Sequence, residues 1–147
     1  MRDISLRSAA IILKDGKLLV AKNVNSPCYY VVGGAIEKNE TSEQAIIREI
    51  FEETGLKIEV DRLLMIQERF FEAGNKKHHE IVFFYSIKDN DTLSAIANGT
   101  FTDQGIKETL HWLPADKLRS YNIVPKFLQT KSFEDMKDIE HIVVNEY

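Results

Sequence analysis

Residues 34–56 read GAIEKNETSEQAIIREIFEETGL, and this stretch decides the fold. It contains seven specific residues at set spacings and apolar residues at positions 50 and 56. The seven are Gly34, Glu40, Arg48, Glu49, Glu52, Glu53 and Gly55. At average residue usage, such a pattern arises by chance on the order of once in a billion starting positions. Coincidence therefore does not explain it.

Three glutamates of the pattern, Glu49, Glu52 and Glu53, stand at helical spacing. Residues at i, i+3 and i+4 share one face of a helix, so the three carboxylates repel one another. A cation would offset this repulsion, and Mg²⁺ is usually shared between a few carboxylates and the phosphates of a substrate. An isolated acidic triplet is more often a solvated helix face. Here, however, the residues that surround the acidic triplet favour a metal site.

The same stretch contains signals for the start and end of a helix. Thr41 and Gln44 have the spacing of a capping box, and Gly55 is typical of a C-terminal cap. We expect the apolar face to contain Ala45, Ile46, Ile50 and Phe51. Defined ends would hold the carboxylates of this helix in place for a ligand.

The segment Gly34–Leu56 resembles the complete signature of the Nudix hydrolases, the MutT-like family. The resemblance implies an α+β fold, the Nudix-type α/β/α sandwich with a mixed sheet, in which the signature forms a loop-helix-loop. It also implies hydrolysis of the pyrophosphate bond of a nucleoside diphosphate linked to another group. Mg²⁺ is the implied cofactor, with Mn²⁺ as the alternative.

Composition describes an ordinary globular chain. It has 147 residues, 44% of them hydrophobic and 29% charged, so we expect a single Nudix domain over residues 1–147. The net charge of −4 argues against nucleic acid as a partner. Cys28 is the only cysteine, which excludes an intrachain disulfide. No apolar run has the length of a signal peptide or membrane span, so we expect a cytoplasmic protein. We expect it to be a monomer or a homodimer.

The resemblance assigns roles to residues of the signature. Glu49, Glu52 and Glu53 would be the metal carboxylates, with the Gly33 carbonyl as a further ligand. Glu52 and Glu53 are also the catalytic candidates, and Glu52 is preferred for the water step. Family members often carry one more acidic residue outside the signature. Glu80 is the first candidate for it here, and Glu108 is the second.

Other signature residues have structural roles in this interpretation. We expect Glu40 and Arg48 to form an ion pair that holds the loop onto the helix, because arginine favours fixed carboxylate geometry. Glu37 could pin the same loop or join the metal shell, and we favour the loop. Gly34 and Gly55 shape the two ends of the signature.

Substrate-binding candidates lie outside the signature. Lys22 ends the second strand, where the resemblance implies a cation that binds phosphate, and Arg7 could reach the same pocket from the first strand. Tyr29, Phe70 and their neighbours Tyr30 and Phe71 are candidates to stack on a base. The alternative for Lys22 and Arg7 is a solvated charge. Phe83, Phe84 and Trp112 are more typical of core residues, since alternate positions of a strand face inward. His78 and His79 should point to opposite sides of a strand, at the surface.

Apolar runs and turn signals predict the remaining elements. The predicted strands cover 8–13, 17–21, 29–32, 56–71, 80–87, 109–113 and 139–144. Asp15-Gly16 would join the first two strands as a hairpin, and Gly33-Gly34 would end the third. Residues 89–103 read as a loop, 114–118 as a helical turn, and 123–128 as a helix with Pro125 in its first turn.

The signature does not name the substrate. ADP-ribose hydrolases of the family commonly carry a proline shortly after the signature, and dinucleoside polyphosphate hydrolases carry a tyrosine there. Residues 70–73 read Phe-Phe-Glu-Ala and have neither. By elimination, a nucleoside triphosphate or modified triphosphate is the leading small nucleotide-type substrate. Nucleotide sugars, ADP-ribose, dinucleoside polyphosphates and a non-catalytic nucleotide-binding domain stay as alternatives.

Overall fold

The computed structural model describes residues 3–102 and 107–147. This part of the chain contains one α-helix, α1 (Ser42–Thr54). Its strands are β1 (Ser5–Ile11), β2 (Leu13–Lys14), β3 (Lys17–Asn23), β4 (Tyr29–Val31), β5 (Gly33–Ala35), β6 (Val60–Ala73), β7 (Lys76–Ile87), β8 (Thr100–Phe101), β9 (Glu108–Pro114), β10 (Ile123–Val124) and β11 (Glu140–Asn145). Short 3-10 helices cover Asp91–Ala95, Ala115–Ser120, Lys126–Thr130 and Phe133–Asp135. No helix among these described residues combines the length and apolarity that crossing a bilayer requires.

The strands form two mixed sheets. The first has the order β11-β6-β7-β1-β5, in which β1 runs parallel to β7 and β11 runs parallel to β6. The second has the order β10-β4-β3-β9-β8, with β2 paired to β3. Strand β1 lies between β7 and β5 and pairs with both. It therefore connects the chain just before α1 to the long β6-β7 hairpin.

Both faces of the central strands are buried. Along β1 and β3, alternate residues enter two different cores, as the two-residue period of a strand requires. The first core takes Ala9, Ile11, Leu18 and Val20 and is covered by Leu118, Leu128 and Phe133 of the 3-10 helices. The second takes Ala10, Leu19 and Ala21 and is covered by Ile46 and Ile50 of α1. This layered α+β sandwich confirms the predicted fold class.

Helix α1 begins and ends where the sequence predicts. The Gln44 N–H donates to Thr41 Oγ1 at 3.0 Å, and the Thr41 N–H donates to Gln44 Oε1 at 2.9 Å. At the other end, the Gly55 N–H donates to the Phe51 carbonyl at 2.8 Å. Each bond satisfies a backbone or side-chain group that a helix end would otherwise leave unpaired.

The buried face of α1 differs from the prediction at one position. Ala45, Ile46 and Ile50 are buried as expected, but Phe51 is 47% exposed and Glu53 is buried instead. A helix turns about 100° per residue, so Glu53 lies closer than Phe51 to the stripe formed by Ile46 and Ile50. The core therefore receives a carboxylate.

Several predicted strands form with different partners. Asp15-Gly16 joins only the short pair β2 and β3, whereas β1 starts earlier than predicted and pairs with β5 and β7. Strand β4 ends at Val31, one residue before the predicted end, and Gly33-Gly34 starts the separate strand β5. The long hairpin of β6 and β7 and the late edge strand β11 are confirmed.

The predicted helix over 123–128 is wrong. Ile123 and Val124 form β10, which extends the second sheet by pairing with β4, and a 3-10 helix follows Pro125. The two residues gain a parallel strand partner there, which local sequence signals do not show. The predicted loop 89–103 contains the 3-10 helix Asp91–Ala95 and strand β8, and residue 103 lies outside the described residues.

The capping box gives a test of helix stability. Replacing Thr41 with Ala removes the acceptor for the Gln44 N–H, so we expect Thr41→Ala to lower the free energy of unfolding by about 1 kcal/mol. For a chain of this size, that corresponds to a fall in Tm of about 3 °C. Thr41→Ser, which keeps the hydroxyl, should recover most of the loss. Equal Tm values for the wild type and Thr41→Ala would contradict this role.

Candidate functional site

The Arg48 guanidinium joins the loop before α1 to the carboxylates of the helix. Its Nε and Nη2 donate to the two oxygens of Glu40 at 3.1 and 2.7 Å. Nη2 also donates to the Ala35 carbonyl at 3.0 Å. Nη1 donates to Glu49 Oε1 at 2.9 Å and Glu52 Oε2 at 3.3 Å. The structure therefore brings Glu40 and Arg48 together in the expected bidentate pair.

The loop is closed by a third hydrogen bond to Glu40, which comes from the backbone of the loop itself. The Glu37 N–H donates to Glu40 Oε1 at 2.7 Å, and the Glu37 carboxylate lies 3.7 Å from Arg48 Nη1. The hydrogen bond from Arg48, followed by that from the Glu37 backbone, lowers the pKa of Glu40 below its ordinary value. Glu37 thus lies in the loop contact, as favoured from the sequence.

The two glycines allow close approach of backbone to neighbouring groups. A Cβ at Gly34 would overlap the Glu49 carboxylate, and a Cβ at Gly33 would overlap the Ser8 carbonyl of β1. Carbonyls two residues apart in a strand point the same way, so the Gly33 carbonyl faces the side on which Ala35 meets Arg48. Gly33 therefore presents a backbone oxygen toward the signature helix.

Glu53 is a buried carboxylate among like charges. Its side chain is 7% exposed, and its Oε2 has no hydrogen-bond partner among the described residues. Burial raises the pKa of Glu53 to about 8, and repulsion from Glu108, Glu49 and Glu52 adds to the rise, while Arg7 opposes it. A cation at this place would remove most of that cost.

Tyr30 fixes Glu108 beside Glu53. The Tyr30 hydroxyl donates to Glu108 Oε2 at 2.5 Å, and burial followed by the contact with Glu108 raises the pKa of Tyr30 above its ordinary value. Glu80, the first candidate for the extra acid, instead contacts Arg69 with 3.7 Å between Oε2 and Nη1. Of the two candidates, Glu108 is the one whose charge acts on Glu53.

The donor set suits a hard divalent cation. Within residues 3–102 and 107–147, no three His, Cys, Asp or Glu side chains converge as a preassembled metal shell. Two of the signature carboxylates, Glu49 and Glu52, are hydrogen-bonded to Arg48 Nη1. Mg²⁺ does not need such a cage, since it usually binds one or two carboxylates with waters and substrate phosphates. The oxygen donors and the unpaired Glu53 Oε2 therefore fit the ion.

A pocket of about 210 Å³ opens between the two sheets next to these carboxylates, and we call it the inter-sheet pocket. Its lining residues are Arg7, Ser8, Ala9, Tyr30, Val31, Gly33, Gln67, Arg69, Glu80, Val82, Phe84, Val124 and Pro125. Tyr30 contacts Glu108 and Arg7 acts on the charge of Glu53, so the pocket adjoins the carboxylate cluster.

The predicted substrate residues do not all lie in this pocket. Arg7 and Tyr30 line it. Lys22 lies over the Tyr29 ring at 5.0 Å from its centroid, and Tyr29 packs against the first core. Among the described residues, the pocket lining does not include Lys22 of β3, Tyr29 of β4 or Phe70 of β6.

The aromatic residues of the long hairpin stack on its histidines. The Phe70 and His79 rings stack with centroids 4.3 Å apart, and Phe71 and His78 stack at 4.9 Å. The two histidines lie on opposite faces of β7, as expected, but they are half-buried by these contacts. The stacking contacts orient both rings, and His79 Nε2 is buried without a hydrogen-bond partner among the described residues.

Sequence reasoning missed Tyr30, Arg69 and Gln67 as residues that meet near the signature. Tyr30 was grouped with aromatic candidates for base stacking, but its hydroxyl pairs with Glu108. Arg69 and Gln67 come from β6, which the sequence places far from Gly33. The pairing of β1 with both β5 and β7 brings them together, and no local signal carries that pairing.

Comparison with known proteins places this geometry in a family. The family model described as the NUDIX domain matches residues 5–132. A MutT-like protein of Streptomyces ambofaciens is 36% identical over 56 residues, which are 38% of this chain and 36% of that protein. The ADP-ribose pyrophosphatase of Methanocaldococcus jannaschii is 49% identical over 57 residues, which are 37% of this chain and 34% of that protein. The matches thus span about a third of these curated relatives.

Solved structures share the fold. The MutT mutator protein of Bacillus halodurans superposes with a TM-score of 0.71 at 16% identity, over 97% of this chain and 91% of that one. At this identity the likeness extends to the arrangement of sheets and helices alone.

The buried Glu53 carboxylate gives a stability test. In metal-free buffer near neutral pH, Glu53 with its pKa of about 8 is mostly protonated in the folded protein but ionised in the unfolded chain, so its burial costs stability. Glu53→Gln removes this cost, so we expect stability to rise by about 1 kcal/mol, or about 3 °C in Tm. Adding Mg²⁺ should raise the Tm of the wild type more than that of the variant. The control is Glu72→Gln, an exposed glutamate on β6, which should change neither value. A lower Tm for metal-free Glu53→Gln would show that the carboxylate is not a destabilising charge.

Proposed function

The chain belongs to the Nudix family, and on that premise we propose that it hydrolyses the diphosphate bond of a nucleotide-type substrate with a divalent cation. The observation that carries the proposal is the buried Glu53 carboxylate, which has an unpaired oxygen and lies among the charges of Glu49, Glu52 and Glu108. Such a concentration of negative charge next to a pocket is costly unless a cation is bound there.

The candidate ligands are the three signature glutamates and one backbone oxygen. Glu49, Glu52 and Glu53 would hold Mg²⁺, or Mn²⁺ as the alternative, with the Gly33 carbonyl beside them. When bound, the cation neutralises phosphate charge and makes an attacking water more acidic. Arg48 positions this set, because the same guanidinium that binds Glu40 also contacts Glu49 and Glu52.

The reaction needs a proton acceptor near the phosphates. Water forms a new bond to phosphorus, the bridging oxygen leaves with its electron pair, and the water proton passes to a carboxylate. Glu52 is the preferred acceptor, because its side chain is 42% exposed whereas Glu53 is buried. We assign the acidic residue outside the signature to Glu108 rather than Glu80, since Glu108 acts on the charge of Glu53.

A nucleoside triphosphate or modified triphosphate is the leading substrate. The inter-sheet pocket of about 210 Å³ is smaller than pockets for drug-sized ligands and suits one base-sized group. Arg7 lines this pocket and its positive charge also acts on Glu53, so it is a candidate to hold phosphates. ADP-ribose is the second candidate, because the M. jannaschii relative bears that activity in its name.

The organisation of the chain belongs to the same proposal. We treat residues 1–147 as one Nudix domain, a view supported by strands β1 and β3, which contribute to both cores. A cytoplasmic location and a monomeric or homodimeric assembly stay predictions.

Turnover by signature variants tests the function. With Mg²⁺ and a panel of nucleoside triphosphates, modified triphosphates, nucleotide sugars, ADP-ribose and dinucleoside polyphosphates, the wild type should release phosphate or pyrophosphate from at least one member. Glu52→Gln and Glu53→Gln should each lower kcat by about 100-fold or more, because each removes a charged carboxylate from the reacting centre. Glu72→Gln serves as the exposed control. Equal rates in all four proteins would refute the assignment.

Glu108 and Glu80 can be separated by kinetics. Glu108→Gln should lower kcat by about tenfold or more, because its charge lies beside Glu53. Glu80→Gln should act mainly on KM, because Glu80 lines the inter-sheet pocket and pairs with Arg69. The reverse pattern, with the larger kcat loss in Glu80→Gln, would return Glu80 to the catalytic role.

A further inference from the structure

One buried polar side chain of the inter-sheet pocket is not used by the proposed chemistry. Gln67 lies on β6 opposite Val82 of β7, and only 2% of its surface is exposed. Its Nε2 has no hydrogen-bond partner among the described residues. Buried amide groups in folded proteins are almost always paired, because an unpaired donor has lost its hydrogen bonds to water without replacement.

The surroundings of Gln67 show that packing alone does not require an amide there. The pocket walls next to it are apolar, and they are formed by Ala9, Val82 and Phe84. Met65, two residues earlier on the same strand, is fully buried in the first core. An unbranched apolar side chain such as methionine would fill the Gln67 position with no donor left unpaired.

The inter-sheet pocket brings Gln67 together with charged side chains. Gln67 is nearly inaccessible, whereas Arg7, Arg69 and Glu80 carry the charges of the same pocket. Arg7 also acts on Glu53, so the charged side of the pocket meets the signature helix. A ligand with a flat polar ring and a phosphate chain matches this arrangement, with the ring inside and the phosphates toward Arg7.

A carboxamide is suited to reading the edge of such a ring. It presents one donor and one acceptor in a plane, and glutamine and asparagine pair in this way with bases that carry adjacent donor and acceptor groups. Resting on the function proposed above, we propose that Gln67 is a specificity-determining residue that hydrogen-bonds the polar edge of the substrate's nucleobase. Every common nucleobase has such an edge, so Gln67 would set which base the site prefers among nucleotides.

The proposal predicts a loss of discrimination in Gln67→Met. The test compares kcat/KM for purine nucleoside triphosphates with that for an indole or benzimidazole nucleoside triphosphate, which keeps the ring size and lacks the exocyclic polar groups. The wild type should prefer its best purine by about tenfold to a hundredfold. Gln67→Met should lower this preference to about twofold. Its Tm should not fall, because an unpaired buried donor is removed.

A matched control separates base reading from general loss of an amide. Gln129 is a half-buried glutamine outside the inter-sheet pocket, and its Nε2 donates to the Tyr121 carbonyl at 2.8 Å. Gln129→Met should lose some stability and keep the full base preference. If Gln67→Met also keeps the preference, Gln67 does not read the base and the inference is overturned.

A binding measurement separates this inference from the proposed function. The side-chain amide resonances of Gln67, assigned as those missing in Gln67→Met, should shift when a purine nucleoside without phosphates is added to metal-free protein. That shift, in a protein that hydrolyses no member of the panel, would support base reading and refute the hydrolase. Hydrolysis by the wild type without any shift, and with preference unchanged in Gln67→Met, would support the hydrolase and refute base reading.

Discussion

The site depends on one guanidinium that is shared between two parts of the chain. Arg48 binds Glu40 in the loop with two nitrogens and binds Glu49 and Glu52 on its own helix with the third. A lysine has no planar fork and could not hold both sets at fixed angles. Because Arg48 also binds the Ala35 carbonyl, strand β5 and the Gly33 carbonyl are held against the helix. The capped ends of α1 and the bare backbone of Gly34 make this close contact sterically available.

Two buried polar side chains that the described part of the fold leaves without a hydrogen-bond partner lie where we expect a ligand. Of the four buried side-chain atoms without a partner among the described residues, His79 Nε2 and Thr102 Oγ1 are not part of the proposed site; the other two are Glu53 Oε2 and Gln67 Nε2. Each would be more favourable as an apolar or paired group for folding alone. Proteins commonly tolerate such costs at functional sites, where the ligand supplies the missing partner. In the two proposals, a cation would pair with Glu53 and the edge of a base with Gln67.

The sequence predicts those parts of the site that depend on neighbours in the chain. Thr41, Gln44 and Gly55 define the helix ends, and the spacing of the three glutamates places them on one face, so α1 and its carboxylates follow from local rules. The burial of Glu53 in place of Phe51 depends on where the second core lies around the helix.

Residues that meet through sheet order escape prediction. Glu108 reaches Glu53 because β9 pairs with β3, and Gln67 reaches the pocket because β1 lies between β7 and β5. Periodicity locates strands but does not give their neighbours, so the sequence alone ranks Glu80 ahead of Glu108.

A crystal structure with Mn²⁺ and a non-hydrolysable triphosphate tests the proposed metal site and the proposed base contact together. We expect an anomalous peak from Mn²⁺ within coordination distance of the Glu53 carboxylate, with the base against Gln67. A peak away from Glu53, or a base bound outside the inter-sheet pocket, would contradict it.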